Sequence, residues 1–220
     1  MTGSLNRTFH RETVLGIGIG DERIARQHGG GGLYAGIRVE VRSLDRGEGA
    51  SFAWNAGASI PTRFANAVAE GIQEVISTGV LAGCELTDVL VSVKDGSYHD
   101  QDSTDAVFRE VAQKATTAAL RQARPTVMEA ISVCRAVFPI EYATAVEEIS
   151  STKGQIESAQ SEMENCSVTV IVRTSGVGEL LEQVLAATNG HARFSAENGG
   201  FRPKPEPPET ADVWVSVKSW

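Results

Sequence analysis

From Ile131 onward the chain keeps one rhythm, and that rhythm constrains the fold more tightly than any other feature. Ile131, Val133 and Val137 mark a strand, after which Tyr142, Val146 and Ile149 recur at helical spacing. A strand near Gln155 to Met163 follows. In the next strand Val168, Val170 and Val172 alternate with Ser167, Thr169 and Arg173, the period of two that sends successive side chains to opposite faces. A helix through Leu181, Val184 and Leu185 stops at Asn189-Gly190, and a last strand runs from about His191 to Ala196. The order β-α-β-β-α-β is the split βαβ, ferredoxin-like arrangement.

A boundary precedes this unit. Arg121-Gln122-Ala123-Arg124-Pro125 has a helical pattern running into it and a strand pattern after it, as expected where a proline ends a helix. Upstream, Phe64, Val68, Ile72, Val75 and Ile76 predict a helix with start signals at Pro61-Thr62 and a stop at Gly79. A second helix is expected to begin at Asp102-Ser103, whose side-chain oxygens can cap free N–H groups, and to carry Phe108, Val111, Ala112, Ala115, Ala118 and Ala119 on one face. Leu86 to Val93 reads as a strand ending in a turn at Asp95-Gly96. Leu33 to Val41 alternates, with Ile37, Val39 and Val41 on one face. This half is α+β. After the second unit, Arg202 to Pro208 reads as a stiff linker, and Ala211 to Trp220 as an edge strand docked back on the body.

Bulk properties narrow the function classes. At 220 residues the chain has length for one or two cores, and no run of 18 apolar residues offers a membrane span. The opening Met-Thr-Gly-Ser-Leu-Asn-Arg lacks an apolar core and a cleavage site, so no secretion signal is expected. Cys84, Cys134 and Cys166 are odd in number and lack Cys-x-x-Cys spacing, which reads as buried thiols in a reducing compartment. A net charge of −8 argues against broad, non-specific nucleic-acid binding, though not against one local contact.

Three stretches invite a chemical reading. Gly16-Ile17-Gly18-Ile19-Gly20 superficially matches a dinucleotide fingerprint, but the Asp21 to Arg26 segment after it is short and glycines break the chain again. His28-Gly29-Gly30-Gly31-Gly32 lacks the Lys-Ser/Thr of a phosphate loop. It reads as a flexible hairpin connection or as a mobile loop that moulds to a partner. Ser97-Tyr98-His99-Asp100-Gln101-Asp102-Ser103, with Asp95 just before it, could ligate a metal through His99, Asp100 and Asp102, or support a serine hydrolase with His99 as base. The bland reading is a turn at Asp95-Gly96 and a helix cap at Asp102 or Ser103. That reading leaves the protruding Tyr98 and His99 unexplained.

The residues from Asp95 to Ser103, with Phe108, resemble a signature loop of domain IV of elongation factor G, the ribosomal translocase. His10-Arg11-Glu12-Thr13 resembles that domain's opening Tyr-Arg-Glu-Thr. Gln27 to Tyr34 resembles its glycine-rich tip loop, and Gly79 to Gly83 with Thr87-Asp88 its middle segment. Beyond Pro125, Glu129-Ala-Ile, Pro139-Ile-Glu-Tyr142, Lys153-Gly154 and Thr188 to Ser195 resemble domain V. The resemblance implies an α+β, ribosomal S5 domain 2-like domain over residues 1–124, a ferredoxin-like domain over 125–202, and a Pro-rich linker and tail over 203–220.

It also implies a function. Two tip loops, His28, Gly29, Gly30, Gly31, Gly32, Leu33 and Tyr34 in one and Ser97, Tyr98, His99, Asp100, Gln101, Asp102 and Ser103 in the other, would enter the decoding region of the small subunit and meet tRNA and mRNA. The second domain would lie near the GTPase-associated ribosomal RNA. No phosphate loop or guanine-specificity motif is present, so GTP and Mg would belong to upstream GTPase domains of a cytoplasmic parent, with no catalytic residue, metal or cofactor expected in this chain.

Departures from the family pattern point to a divergent paralogue. Gly31 stands where the family has arginine, Leu33 where it has glutamine and Ala35 where it has the last glycine, and Val177-Gly-Glu-Leu replaces Met-Phe-Gly-Tyr. Losing a cation from a loop near phosphates weakens binding and its salt dependence. Ribosomal-protection tetracycline-resistance proteins share the architecture, but their tips generally do not keep Tyr-His-Asp-x-Asp-Ser, which favours the translocase-like branch. A metal-assisted hydrolase centred on His99 and a non-ribosomal interaction domain are the rival readings.

Overall fold

The computed structural model describes residues 8–28 and 31–204, which form two sheets (Gly29, Gly30 and the proposed edge strand 211–220 lie outside these residues). Strand β1 (His10–Val14) leads into β2 (Gly18–His28), β3 (Gly31–Ser43) and β4 (Ala50–Trp54). Helix α1 (Ala65–Thr78), strand β5 (Val89–Ser97) and helix α2 (Asp105–Gln122) follow. The second half contributes β6 (Pro125–Pro139), α3 (Ala143–Lys153), β7 (Gln155–Glu162), β8 (Asn165–Arg173), α4 (Val177–Ala187) and β9 (Arg193–Pro203). The class is α+β, with the ferredoxin-like element order expected for the second half.

The first sheet runs β2-β3-β5-β4, antiparallel except for the parallel pair β4 and β5, which α1 connects. Ile37, Val39 and Val41 of β3 and Val89, Val91 and Val93 of β5 are buried against Val68 and Ile72 of α1 and Val111, Ala115 and Ala119 of α2. Phe64 and Phe108 stack at the helix–helix seam, ring centroids 4.4 Å apart. Fully burying such side chains contributes about 1.5–3 kcal/mol each. α1 stops where Gly79 adopts φ 63, a left-handed conformation that favours glycine.

The glycines that invited a nucleotide reading are packing devices. The segment that reads as short in the sequence is an eleven-residue strand, β2, and α2 crosses it so closely that a Cβ on Gly18 would stand 1.9 Å from the Ala119 carbonyl oxygen. A Cβ on Gly20 would meet the Ala115 carbonyl at the same distance. The small residues Ala115 and Ala119 face these glycines because only that combination lets helix and sheet backbones approach so far.

The second sheet is built around β6. On one edge its start pairs with β1 (His10↔Glu129 to Val14↔Pro125) and its remainder with β8. On the other edge it pairs with β9. Thus the chain's first described strand completes the sheet of its second half. The core is Cys134, Ala136 and Phe138 of β6 and Val168, Val170 and Val172 of β8 under Val146, Leu180 and Val184 of the helices. Val133 and Val137, which mark the strand in the sequence, lie half-buried on the opposite face. The three cysteines are free and buried, and burial pushes the Cys134 thiol up.

Some boundaries move. β5 begins at Val89 and continues through Asp95-Gly96, so there is no turn at that dipeptide. A bulge between Arg38 and Val39 leaves Lys94 without a Cα partner, and pairing resumes at Asp95. β9 extends to Pro203, absorbing the start of the expected linker, because Arg202 and Pro203 continue the ladder to Glu129 and Met128.

Candidate functional site

One end of the first sheet gathers both tip loops. β2 and β3 pair out to His28↔Gly31, and residues 98–104, which carry the chain from β5 into α2, lie beside that end. The cap of α2 is Thr104, whose side-chain oxygen accepts from the Val107 N–H. Asp102 and Ser103, expected as the caps, do something else: they tie the loops together.

Ser103 Oγ donates to the Tyr34 carbonyl at 2.6 Å and accepts from the His99 N–H at 2.8 Å. The Tyr34 N–H donates back to the Asp102 carbonyl at 2.9 Å, extending the contact as backbone pairing. Asp102 Oδ1 accepts from the Gly32 N–H at 3.1 Å, while its Oδ2 lies 3.1 Å from His99 Nδ1. Tyr34 Oη and Ser97 Oγ share a hydrogen bond of 3.0 Å. Gly32 and Gly36 allow this closeness. A Cβ on Gly32 would lie 2.6 Å from Asp102 Cγ, and one on Gly36 would lie 2.5 Å from Ser97 Oγ. Two segments about seventy positions apart in sequence are therefore one braced unit.

Several side chains of the unit reach solvent. His99, with 58% of its side chain exposed, Tyr98 and Leu33 project, and Asp100 and Gln101 are exposed beside them. Ser97 and Ser103 Oγ bond to Tyr34 and to backbone, and no bond joins either hydroxyl to the His99 ring, so the loop holds no serine–histidine nucleophile pair. Among the described residues no three of His, Cys, Asp and Glu come together as a metal site. Asp95 sits apart on the strand, where the Ser59 hydroxyl, the Gly96 N–H and Arg38 hold its carboxyl below the usual carboxylate range.

The tip also has a cation that motif reading does not reveal. Arg23 of β2 lies over the Tyr34 ring, 5.7 Å from its centroid, in cation–π range. The available signal is the alternation of β2, which is hidden when residues 21–26 are taken for a short connection. Gly31 faces open space, with nothing within 4 Å of where a Cβ would stand.

Two further motifs converge at the base of the domain. Glu12 is fully buried, and its carboxylate accepts from four backbone N–H groups: Val80 (2.6 Å) and Leu81 (2.9 Å) at one oxygen, Ala82 (2.7 Å) and Cys84 (3.2 Å) at the other. Asp88, buried at φ 57, accepts from the Gly47 and Gly49 N–H groups and pairs with Arg46. The Arg-Glu-Thr and Gly79 to Gly83 segments, separate in sequence, are thus the two halves of one buried anion nest.

Residues 8–124 match the family described as elongation factor G, domain IV. Elongation factor G of Dehalococcoides mccartyi strain BAV1 is 33% identical over 201 residues, 90% of this chain and 29% of that protein. The elongation factor G of strain 195 of the same organism is 34% identical over the same shares. A crystal structure of a Thermus thermophilus protein matches with a TM-score of 0.79 at 27% identity, covering 89% of this chain and 30% of that one. The chain spans under a third of the length of each of these relatives.

Proposed function

The chain belongs to the elongation factor G domain IV family, and from that membership we propose that it is the ribosome-binding arm of an elongation factor G-like translational GTPase. The braced tip carries this reading: two loops far apart in sequence are locked together at one end of the sheet, and their outermost groups, His99, Tyr98 and Leu33, are presented without a reactive partner. Such a tip acts by shape and hydrogen bonding. An aromatic and an imidazole can stack on or bond to unpaired bases and ribose, the modes by which RNA is recognised.

In this reading the tip meets tRNA and mRNA in the decoding region of the small subunit, and the second sheet's domain lies near the GTPase-associated RNA. GTP and Mg belong to upstream domains of the same cytoplasmic parent. The family match ending at 124 supports domain limits of 1–124 and 125–202, with the 203–220 segment following, and β1 of the first domain then reaches across to pair with β6 of the second. No helix among the described residues is long and apolar enough to cross a membrane.

The test is co-sedimentation of the chain with ribosomes over a range of salt, together with a single-round translocation assay on the full-length parent carrying His99→Ala. Salt-sensitive co-sedimentation and slowed translocation are expected. Absence of co-sedimentation at low salt, or wild-type translocation by the variant, overturns the proposal.

A further inference from the structure

We propose that Asp102 is a positioning residue that fixes His99 in its Nδ1–H tautomer. The outward Nε2 is then a hydrogen-bond acceptor, suited to a donor group of RNA such as a ribose 2′-hydroxyl or a base amino group. The inference rests on the ribosome-arm reading and deepens it by stating which RNA chemistry the tip selects.

Two contacts compete for the inner ring nitrogen. His99 Nδ1 lies 3.1 Å from Asp102 Oδ2 and 3.4 Å from the Gln101 N–H. They exclude one another, because Nδ1 donates to the carboxylate only when protonated and accepts from Gln101 only when bare. A bare Nδ1 would turn its lone pair toward a carboxylate oxygen 3.1 Å away, compensated only by a long contact to Gln101. A bond to a carboxylate is charge-assisted and roughly twice as strong as a neutral one, so the protonated Nδ1 wins.

The carboxyl is not free to swing away. Its other oxygen holds the Gly32 N–H, and the absence of a Cβ at Gly32 is what lets the carboxyl lie flat on that backbone. One side chain therefore both clips the glycine loop and orients the histidine.

The outer nitrogen follows from the inner one. Nε2 has no partner among the described residues. In a neutral ring carrying Nδ1–H it is a bare acceptor. Phosphate oxygens are also acceptors and offer it nothing. A 2′-hydroxyl, which can donate as well as accept, or an amino N–H fits it.

The readout is the tautomer itself. The chain is labelled with 15N-histidine, and long-range 1H–15N correlations are recorded at about pH 8, where free imidazole is neutral. His99→Gln assigns the signals among the four histidines. In wild type, Nδ1 of His99 is expected to resonate as a protonated nitrogen and Nε2 as an unprotonated one. Asp102→Ala should reverse that pattern, and so should Asp102→Asn, which with its single acceptor oxygen kept on the Gly32 N–H turns its amide NH2 toward Nδ1. An Nε2–H pattern in wild type overturns the proposal without any variant, and so does a pattern that Asp102→Ala leaves unchanged. Failure of the ribosome reading shows separately, as lost co-sedimentation with the tautomer intact.

Discussion

Replacing Glu12 should be among the most damaging single changes in this chain, and its size can be worked from the four bonds. A hydrogen bond to a charged group contributes about 1.5–3 kcal/mol, so four give an upper bound of about 6–12 kcal/mol. The real loss is smaller, because the bonds share one carboxylate and water can reach part of the loop. Cys84 is buried, while Val80 and Ala82 are only half-buried and Leu81 is exposed. Allowing partial rescue of the outer three leaves about 3–5 kcal/mol, in line with breaking a buried network. Glu12→Gln separates charge and acceptor count from volume. It keeps the shape but turns two N–H donors toward two backbone N–H groups, so it should cost nearly as much as Glu12→Ala. With a urea m-value of about 2 kcal/mol/M, either variant should lower the midpoint by roughly 1.5–2.5 M. Amide exchange at Val80, Leu81, Ala82 and Cys84 should accelerate in step. A midpoint within about 0.5 M of wild type for Glu12→Gln, roughly 1 kcal/mol at that slope, refutes the nest as a source of stability.

Two other substitutions test the packing and the tip. Gly20→Ala drives a methyl into the Ala115 carbonyl of α2, an overpacking that costs about 1–3 kcal/mol and should lower the melting temperature by several degrees. An unchanged Tm would mean that helix and sheet separate freely. Gly31→Arg enters open space, so stability should stay within about 0.5 kcal/mol of wild type. If it restores one phosphate contact, the slope of log affinity for ribosomes against log salt should steepen by roughly 0.7–0.9. An unchanged slope would show that residue 31 does not reach a phosphate.

The periodic parts of the chain are legible because periodicity is local. Val168, Val170 and Val172 lie within one strand, and Phe64, Val68 and Ile72 within one helix and the turn that leads into it. Their spacing alone says which residues share a face, and all six are buried. In the two loops the sequence offers hydrogen-bonding side chains but not their partners. Asp102 and Ser103 are chemically good caps, and only the arrival of Tyr34 and Gly32 from β3 takes their oxygens elsewhere, leaving Thr104 to cap α2. Gly18 and Gly20 show the same limit. Their spacing fits a phosphate fingerprint as well as a helix crossing, and the choice is made by Ala115 and Ala119, about a hundred positions away.

Residue order was enough for the α+β class, the second half's ferredoxin-like sequence of elements and the helix stop at Gly79, all of which depend on neighbours within a few positions. It was not enough to show that Glu12 anchors the 80–84 loop, that β1 completes the sheet of the second half, or that the carboxyl holding the His99 ring also holds the Gly32 backbone. Each of those turns on a contact between residues about seventy or more positions apart. A hydrogen bond of about 3 Å is specified by where two backbones meet, which the spacing of residues along either one does not contain.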